Sequence, residues 1–177
     1  MDAPPKVNST AASLLGFLHR QPMTGWELVQ TARRTIGDFW SLTPSQVYRE
    51  LNGMAAAGLV EAGQRGSRER RPFTITATGR AAFRAWLEAG PSEETIRMPM
   101  LLTVLFGEEL ASDRLSAILR HQRALHAARL AAYEAVNTTD DRNRRTVYQQ
   151  ATLDFGITYE RAVLAWFDRL PRGLRGG

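Results

Sequence analysis

A mainly α-helical fold carrying one small β-hairpin is predicted by three observations. Two threonine-led capping boxes, Thr24-Gly25-Trp26-Glu27 and Thr43-Pro44-Ser45-Gln46, mark successive helix starts. Apolar residues recur at helical spacing in both halves of the chain. Two short strand-like runs flank a glycine-bearing, arginine-rich stretch at residues 65–71, which the glycine lets turn back on itself.

The elements follow in order. Ser9 or Thr10 is expected to cap a first helix whose buried face is Leu14, Leu15, Phe17 and Leu18, ending before Pro22. The box at Thr24 opens a second helix over residues 25–34, and Gly37 and Asp38 break the chain between 35 and 42. Thr43-Pro44-Ser45-Gln46 then starts a third helix with proline at its first position, where the missing N–H and fixed φ do no harm. On that helix Val47, Leu51 and Met54 form one apolar face, and Ser45, Arg49 and Asn52 the opposite one. Gly58 stops it, with Leu59 placed for the apolar contact of a Schellman cap. Residues 59–64 and 72–76 read as strands, with Phe73 and Ile75 alternating. A helix over 76–87, capped by Thr76, closes at Gly90 and Pro91. Trp26 and Trp86 are read as core aromatics.

Beyond Pro91, Ser112-Asp113 is expected to cap a helix with an approximate heptad seam of Leu115, Ile118, Leu125, Ala132 and Val136, interrupted by Gln122 and Arg129. A turn over 137–141 leads to a last helix over 143–170. One stripe of it holds Tyr148, Phe155, Tyr159, Ala162 and Trp166, and a second holds Leu153, Ile157, Leu164 and Phe167. Two apolar stripes require burial on two sides, which a helix from a second copy of the chain supplies.

Composition removes several function classes. The 177 residues include no cysteine, which excludes disulfides, thiolate zinc sites and cysteine nucleophiles. His19, His121 and His126 are too scattered for a metal-ligand set. No run approaches the length of a membrane span, and the first eight residues lack a secretory core, so a cytoplasmic protein is expected. An enzyme is not expected: there is no serine–histidine–acid pattern or phosphate loop, and the pairs Glu93-Glu94 and Glu108-Glu109 fall at helix ends. No cofactor is implied. The formal charge of +5 is carried almost wholly by arginine, Lys6 being the one lysine. Arginine suits bidentate contact with phosphate and guanine.

Three helices followed by a hairpin with a basic tip is the order of a winged helix-turn-helix, in which the third helix enters the major groove of DNA and the hairpin reaches the flanking backbone. Ser45, Gln46 and Arg49 are therefore candidate base-reading residues. Arg49 has the reach for guanine, and Gln46 for adenine where its capping role leaves the amide free. Arg65, Arg68, Arg70 and Arg71 are candidates for phosphate, with one of them entering the minor groove. A helical protein-interaction adaptor with a basic hairpin is the alternative, separable from an operator binder by salt dependence.

The motifs also resemble a family. Leu42-Thr43-Pro44-Ser45-Gln46-Val47-Tyr48-Arg49-Glu50-Leu51 with Gly58-Leu59-Val60, Thr24-Gly25-Trp26-Glu27-Leu28, and Ile75-Thr76-Ala77-Thr78-Gly79 are similar, in sequence and spacing over residues 9–90, to the PadR family of bacterial transcription regulators. Pro72 departs from it, standing where a strand former is usual. Met100-Leu101-Leu102-Thr103-Val104-Leu105-Phe106-Gly107, Ser112-Asp113-Arg114-Leu115, and Leu153-Asp154-Phe155-Gly156-Ile157 with Trp166 resemble the long C-terminal helical domain of one subfamily. The resemblance implies a DNA-binding domain over 1–90 and a helical dimerisation domain over 91–177. It further implies a homodimer on double-stranded operator DNA, repression rather than activation, and Tyr48 against phosphate or sugar. A small aromatic effector is implied too, for which Trp86, Phe106, Phe155, Tyr159 and Trp166 are the candidate wall, with burial in the dimer core as the competing role.

Overall fold

A computed structural model describes residues 5–37, 39–64, 71–91, 96–138 and 143–175. The chain separates into two compact units, Met1–Glu94 and Thr95–Gly177.

The first unit begins with α1 (Ser9–Leu18). Its cap is Asn8, whose Oδ1 accepts the Ala11 N–H at 2.8 Å, so the helix starts one residue before the expected Ser9 or Thr10 cap. All three residue types serve as caps, and the apolar face of Leu14, Leu15 and Leu18 is unaffected by the choice. A two-residue strand, β1 (Met23–Thr24), leads directly into α2 (Gly25–Thr35) through the Thr24/Glu27 box. α3 (Pro44–Ala56) starts at the Thr43/Gln46 box. It ends in the expected Schellman geometry: Gly58 has φ +68°, its N–H donates to Ala55 at 3.1 Å, and the Leu59 N–H donates to Met54 at 2.8 Å.

The expected hairpin is one strand short of what forms. β2 (Val60–Ala62) and β3 (Pro72–Ile75) pair antiparallel, and β1 pairs with the other edge of β3, giving the order β1-β3-β2. Pro72 lies at the first residue of the central strand, where its missing N–H costs least, and its carbonyl accepts the Gly63 N–H at 2.7 Å. α4 (Ala77–Glu88) is capped by Thr76, whose hydroxyl accepts the Gly79 N–H and donates to the Gly58 carbonyl. Gly79 is needed there: a Cβ would lie 2.1 Å from the Leu59 carbonyl oxygen. Leu14, Leu15, Leu18, Leu28, Val47, Leu51, Met54, Phe73 and Ile75 meet in one core, which fixes the inner side of α3 and leaves its outer side to solvent.

The second unit contains α5 (Pro99–Leu105), a 3-10 turn (Gly107–Glu109), α6 (Ser112–Val136), α7 (Val147–Arg169) and the short α8 (Arg172–Arg175). Ser112 and Asp113 do not cap α6; the cap position is Ala111, and Asp113 bonds the Arg114 N–H instead. α7 starts later than expected, at a third capping box, Thr146/Gln149. Leu115, Leu119, Phe167 and Leu170 form the core of this unit.

The predicted α6 seam holds at its start, where Leu115 is buried and Ile118 partly so, and is rotated beyond it. Leu125, Ala132 and Val136 are exposed, while His126, Arg129 and Tyr133 turn toward the chain's own interior. The cause is Glu160 of α7, which is 2% exposed and accepts from Arg129 at 3.0 Å, with His126 Nδ1 at 2.5 Å on its other oxygen. Gly156 permits close helix approach, since a Cβ there would come 2.9 Å from Tyr133 Cε2.

Candidate nucleic-acid interface

The outer face of α3 is defined by its own start. Thr43 and Gln46 bond reciprocally: the Thr43 N–H and hydroxyl both donate to Gln46 Oε1 at 2.9 Å, and the Gln46 N–H donates to Thr43 Oγ1 at 3.2 Å. With that turn locked and Val47, Leu51 and Met54 buried, Ser45, Tyr48, Arg49 and Asn52 share the opposite side, all exposed. The Arg49 side chain is 71% exposed. Its nearest carboxylate oxygen, on Glu50, is 3.8 Å away, an exposed contact worth at most about 1 kcal/mol. The guanidinium is thus solvent-exposed and readily redirected to another acceptor.

Tyr48 has a seat the sequence did not reveal. It is 47% exposed, and its ring lies over Gly25 at the start of α2, where a Cβ would fall 2.4 Å from Cε1 and 2.8 Å from Cζ. The glycine lets the two helices of the motif share one aromatic ring at their common edge. Trp26, expected in the core, is instead 57% exposed beside that edge. It occupies the polar side of α2, because Leu28, Val29 and Ala32 take the inner side.

Of the hairpin arginines, Arg65, Arg68 and Arg70 lie outside the described residues. Arg71 stands at the hairpin base and ties its two strands: Nε donates to the Gly63 carbonyl at 2.9 Å and Nη2 to the Ala62 carbonyl at 3.3 Å. A guanidinium has five N–H groups, so others stay available to an outside acceptor.

The five aromatic candidates for an effector wall divide between the units. Trp86 is half-buried on α4. In the second unit Phe106 is exposed at the end of α5, and Trp166 packs edge-on against Phe167 with ring centroids 4.9 Å apart. Phe155 and Tyr159 are exposed and stacked, 6.4 Å between centroids. A shallow cleft of about 90 Å³ lies in the second unit between α6, α7 and α8, floored by Leu119, Phe167, Leu170 and Leu174, and none of the five lines it. Among the described residues no group of histidine and acidic side chains is placed to hold a metal ion, and no helix is long and apolar enough to cross a membrane.

The residues that sequence reasoning missed are Gly25, as the seat of Tyr48, and the Glu160, His126 and Arg129 cluster. The second had a legible signal. Glu160 falls on the same stripe as Ile157, Leu164 and Phe167, and an acid on an apolar stripe asks for a cationic partner.

The transcriptional regulator PadR-like family model matches residues 14–85, and the virulence activator alpha C-terminal model matches residues 96–175. The chain is similar to the negative transcriptional regulator PadR of Bacillus subtilis, 25% identical over 122 residues covering 67% of each chain. It is also similar to a probable transcriptional regulator of Mycobacterium tuberculosis, 24% identical over 181 residues, covering 92% of this chain and 96% of the relative. Bacillus subtilis PadR solved in complex with operator DNA superimposes with a TM-score of 0.76 at 20% identity, covering 91% of this chain and 96% of that one. The same protein solved with p-coumaric acid gives 0.67 at 18% identity, covering 97% and 99%. The order of helices and strands and the outward face of α3 agree with the family matches: residues 14–85 belong to the PadR-like family of transcriptional regulators, and residues 96–175 match the virulence activator alpha C-terminal domain.

Proposed function

We propose that this protein is a ligand-responsive repressor that binds a pseudo-palindromic operator as a homodimer, with α3 in the major groove and the arginine-rich hairpin on the flanking backbone. The observation that carries the reading is the outer face of α3, where Ser45, Tyr48, Arg49 and Asn52 are exposed together on a helix locked at its start and anchored by a buried opposite side. Ser45, Gln46 and Arg49 read bases, Tyr48 contacts phosphate or sugar, and Arg65, Arg68 and Arg70 neutralise phosphates, with Arg71 bracing β2 against β3. That the Bacillus relative was solved in complex with operator DNA supports a DNA-binding role.

Dimerisation supplies what a single α3 lacks, since three or four side chains per groove define too short a site. In the second unit, Tyr148, Phe155 and Tyr159 form an exposed aromatic stripe on α7, and Leu125 and Val136 are exposed on α6. We assign these faces to contact with a second copy. The p-coumaric acid complex of the same relative supports an aromatic effector, for which Phe106 and Trp166 of the second unit remain proposed contacts. An effector acts here only through its different affinity for the DNA-bound and released spacings of the two α3 helices.

The test is a titration of the purified protein against duplexes recovered from a random-sequence pool. Two protomers per site, two-fold related half-sites and a steep loss of affinity between low and moderate salt are expected. Absence of binding to any duplex at low ionic strength overturns the reading.

A further inference from the structure

The capping box of α3 sets which hydrogen-bonding group Gln46 presents outward. The Thr43 backbone N–H can only donate, so the atom 2.9 Å from it must be the amide oxygen of Gln46, and the Thr43 hydroxyl donates to the same oxygen at 2.9 Å. Both lone-pair positions of Oε1 are thereby occupied within the protein. The amide nitrogen has no hydrogen-bond partner among the described residues and is not among the buried polar atoms that lack one, so it opens to solvent on the first turn of α3.

Glutamine reads adenine by accepting from N6 while donating to N7. With Oε1 committed to the cap, the first half of that pair is lost unless the cap opens and the Thr43 N–H gives up its partner. We infer that Gln46 acts as a donor-only reader: its Nε2 selects a base edge offering an acceptor, namely guanine N7 or O6, thymine O4 or a purine N7, and does not distinguish adenine through its amino group. This rests on the operator-reading role proposed above and deepens it. The contrast with α2 is informative. There the third position of the box is Glu27, which caps equally well, but a carboxylate at position 46 would have no donor to offer and would repel phosphate.

The experiment uses the full-length protein and the duplexes it recovers from a random pool, and compares the recovered base preferences with those of Gln46→Ala. One position per half-site relaxes in the variant, and the wild type holds guanine, thymine or adenine there. Base analogues at that position then separate the two modes. Removing the contacted acceptor, by 7-deazapurine for N7, by 2-aminopurine for guanine O6 or by 5-methyl-2-pyrimidinone for thymine O4, lowers affinity about three- to tenfold, as expected for one hydrogen bond. Where the base is adenine, replacing it by purine, which lacks the amino group, changes affinity less than twofold. Gln46→Glu retains the cap, melts within a few degrees of wild type and loses the base preference. Overturning results are loss of affinity with purine in place of adenine, or no position that relaxes in Gln46→Ala. A wild-type protein that recovers no duplex at all defeats instead the operator-binding role on which the inference stands.

Discussion

Gly25→Ala separates folding from DNA contact at one atom. The new Cβ would meet the Tyr48 ring at 2.4 and 2.8 Å where ordinary contact begins at 3.4 Å, so the ring must retreat by about 1 Å. Being nearly half exposed, it has solvent to swing into. Holding it away from its preferred rotamer costs about 0.5–1.5 kcal/mol. Replacing a helical glycine by alanine returns about 0.5–1 kcal/mol. The two effects nearly cancel, and thermal denaturation should shift by only a few degrees. Operator affinity should behave differently, because a displaced Tyr48 would forfeit its proposed contact to the sugar-phosphate backbone, about 0.5–1.5 kcal/mol or roughly two- to tenfold in Kd. Fluorescence anisotropy on recovered duplexes measures it, in a cycle with Tyr48→Ala. In the Tyr48→Ala background the glycine substitution should cost nothing further. An equal loss in both backgrounds, or no loss with the tyrosine present, refutes the seating of Tyr48 on Gly25 as a determinant of binding.

Arg49→Ala should weaken specific binding by about 1–3 kcal/mol and relax one base per half-site, whereas Arg70→Ala should weaken all duplexes alike and flatten the salt slope by about one unit; identical behaviour of the two removes the division between base reading and backbone positioning. Leu51→Ala, at a side chain with no exposure in the core that backs α3, should destabilise the first unit by about 2–5 kcal/mol in urea denaturation. His126→Ala leaves the buried Glu160 carboxylate with Arg129 as its remaining partner and should destabilise by about 3 kcal/mol, while Glu160→Gln, which can still accept from Arg129, should cost less; equal losses contradict the ion-pair account. Phe155→Asp combined with Tyr159→Asp should shift the protein from dimer to monomer in sedimentation, and an unchanged dimer excludes that stripe as the interface.

What could be read from the sequence was the chemistry that closes within a few residues. The boxes at Thr24/Glu27 and Thr43/Gln46, the Schellman stop at Gly58 and the buried face of Val47, Leu51 and Met54 each depend on neighbours no more than one or two turns away. β1 escaped because two residues carry no periodicity, and its pairing partners Phe73 and Pro72 lie far along the chain. The α6 register escaped for a related reason. Arg129 interrupts the apolar seam expected from sequence, yet it and His126 belong on the packed side because Glu160 of α7 compensates them there. Arg71 shows the same limit at the site, since its bonds to the Gly63 and Ala62 carbonyls exist only once the hairpin has paired.

The outer side of α3 is proposed to lie against a duplex, and the absence of cysteine makes this directly measurable. Single thiols introduced as Ser45→Cys, Asn52→Cys and, on α4, Glu88→Cys can be labelled with a maleimide in the free protein and at saturating duplex. Bound DNA should slow labelling at positions 45 and 52 by tenfold or more and leave position 88 unchanged. Equal labelling rates at 45 and 52 with and without bound duplex would place the DNA elsewhere on the protein and contradict the account.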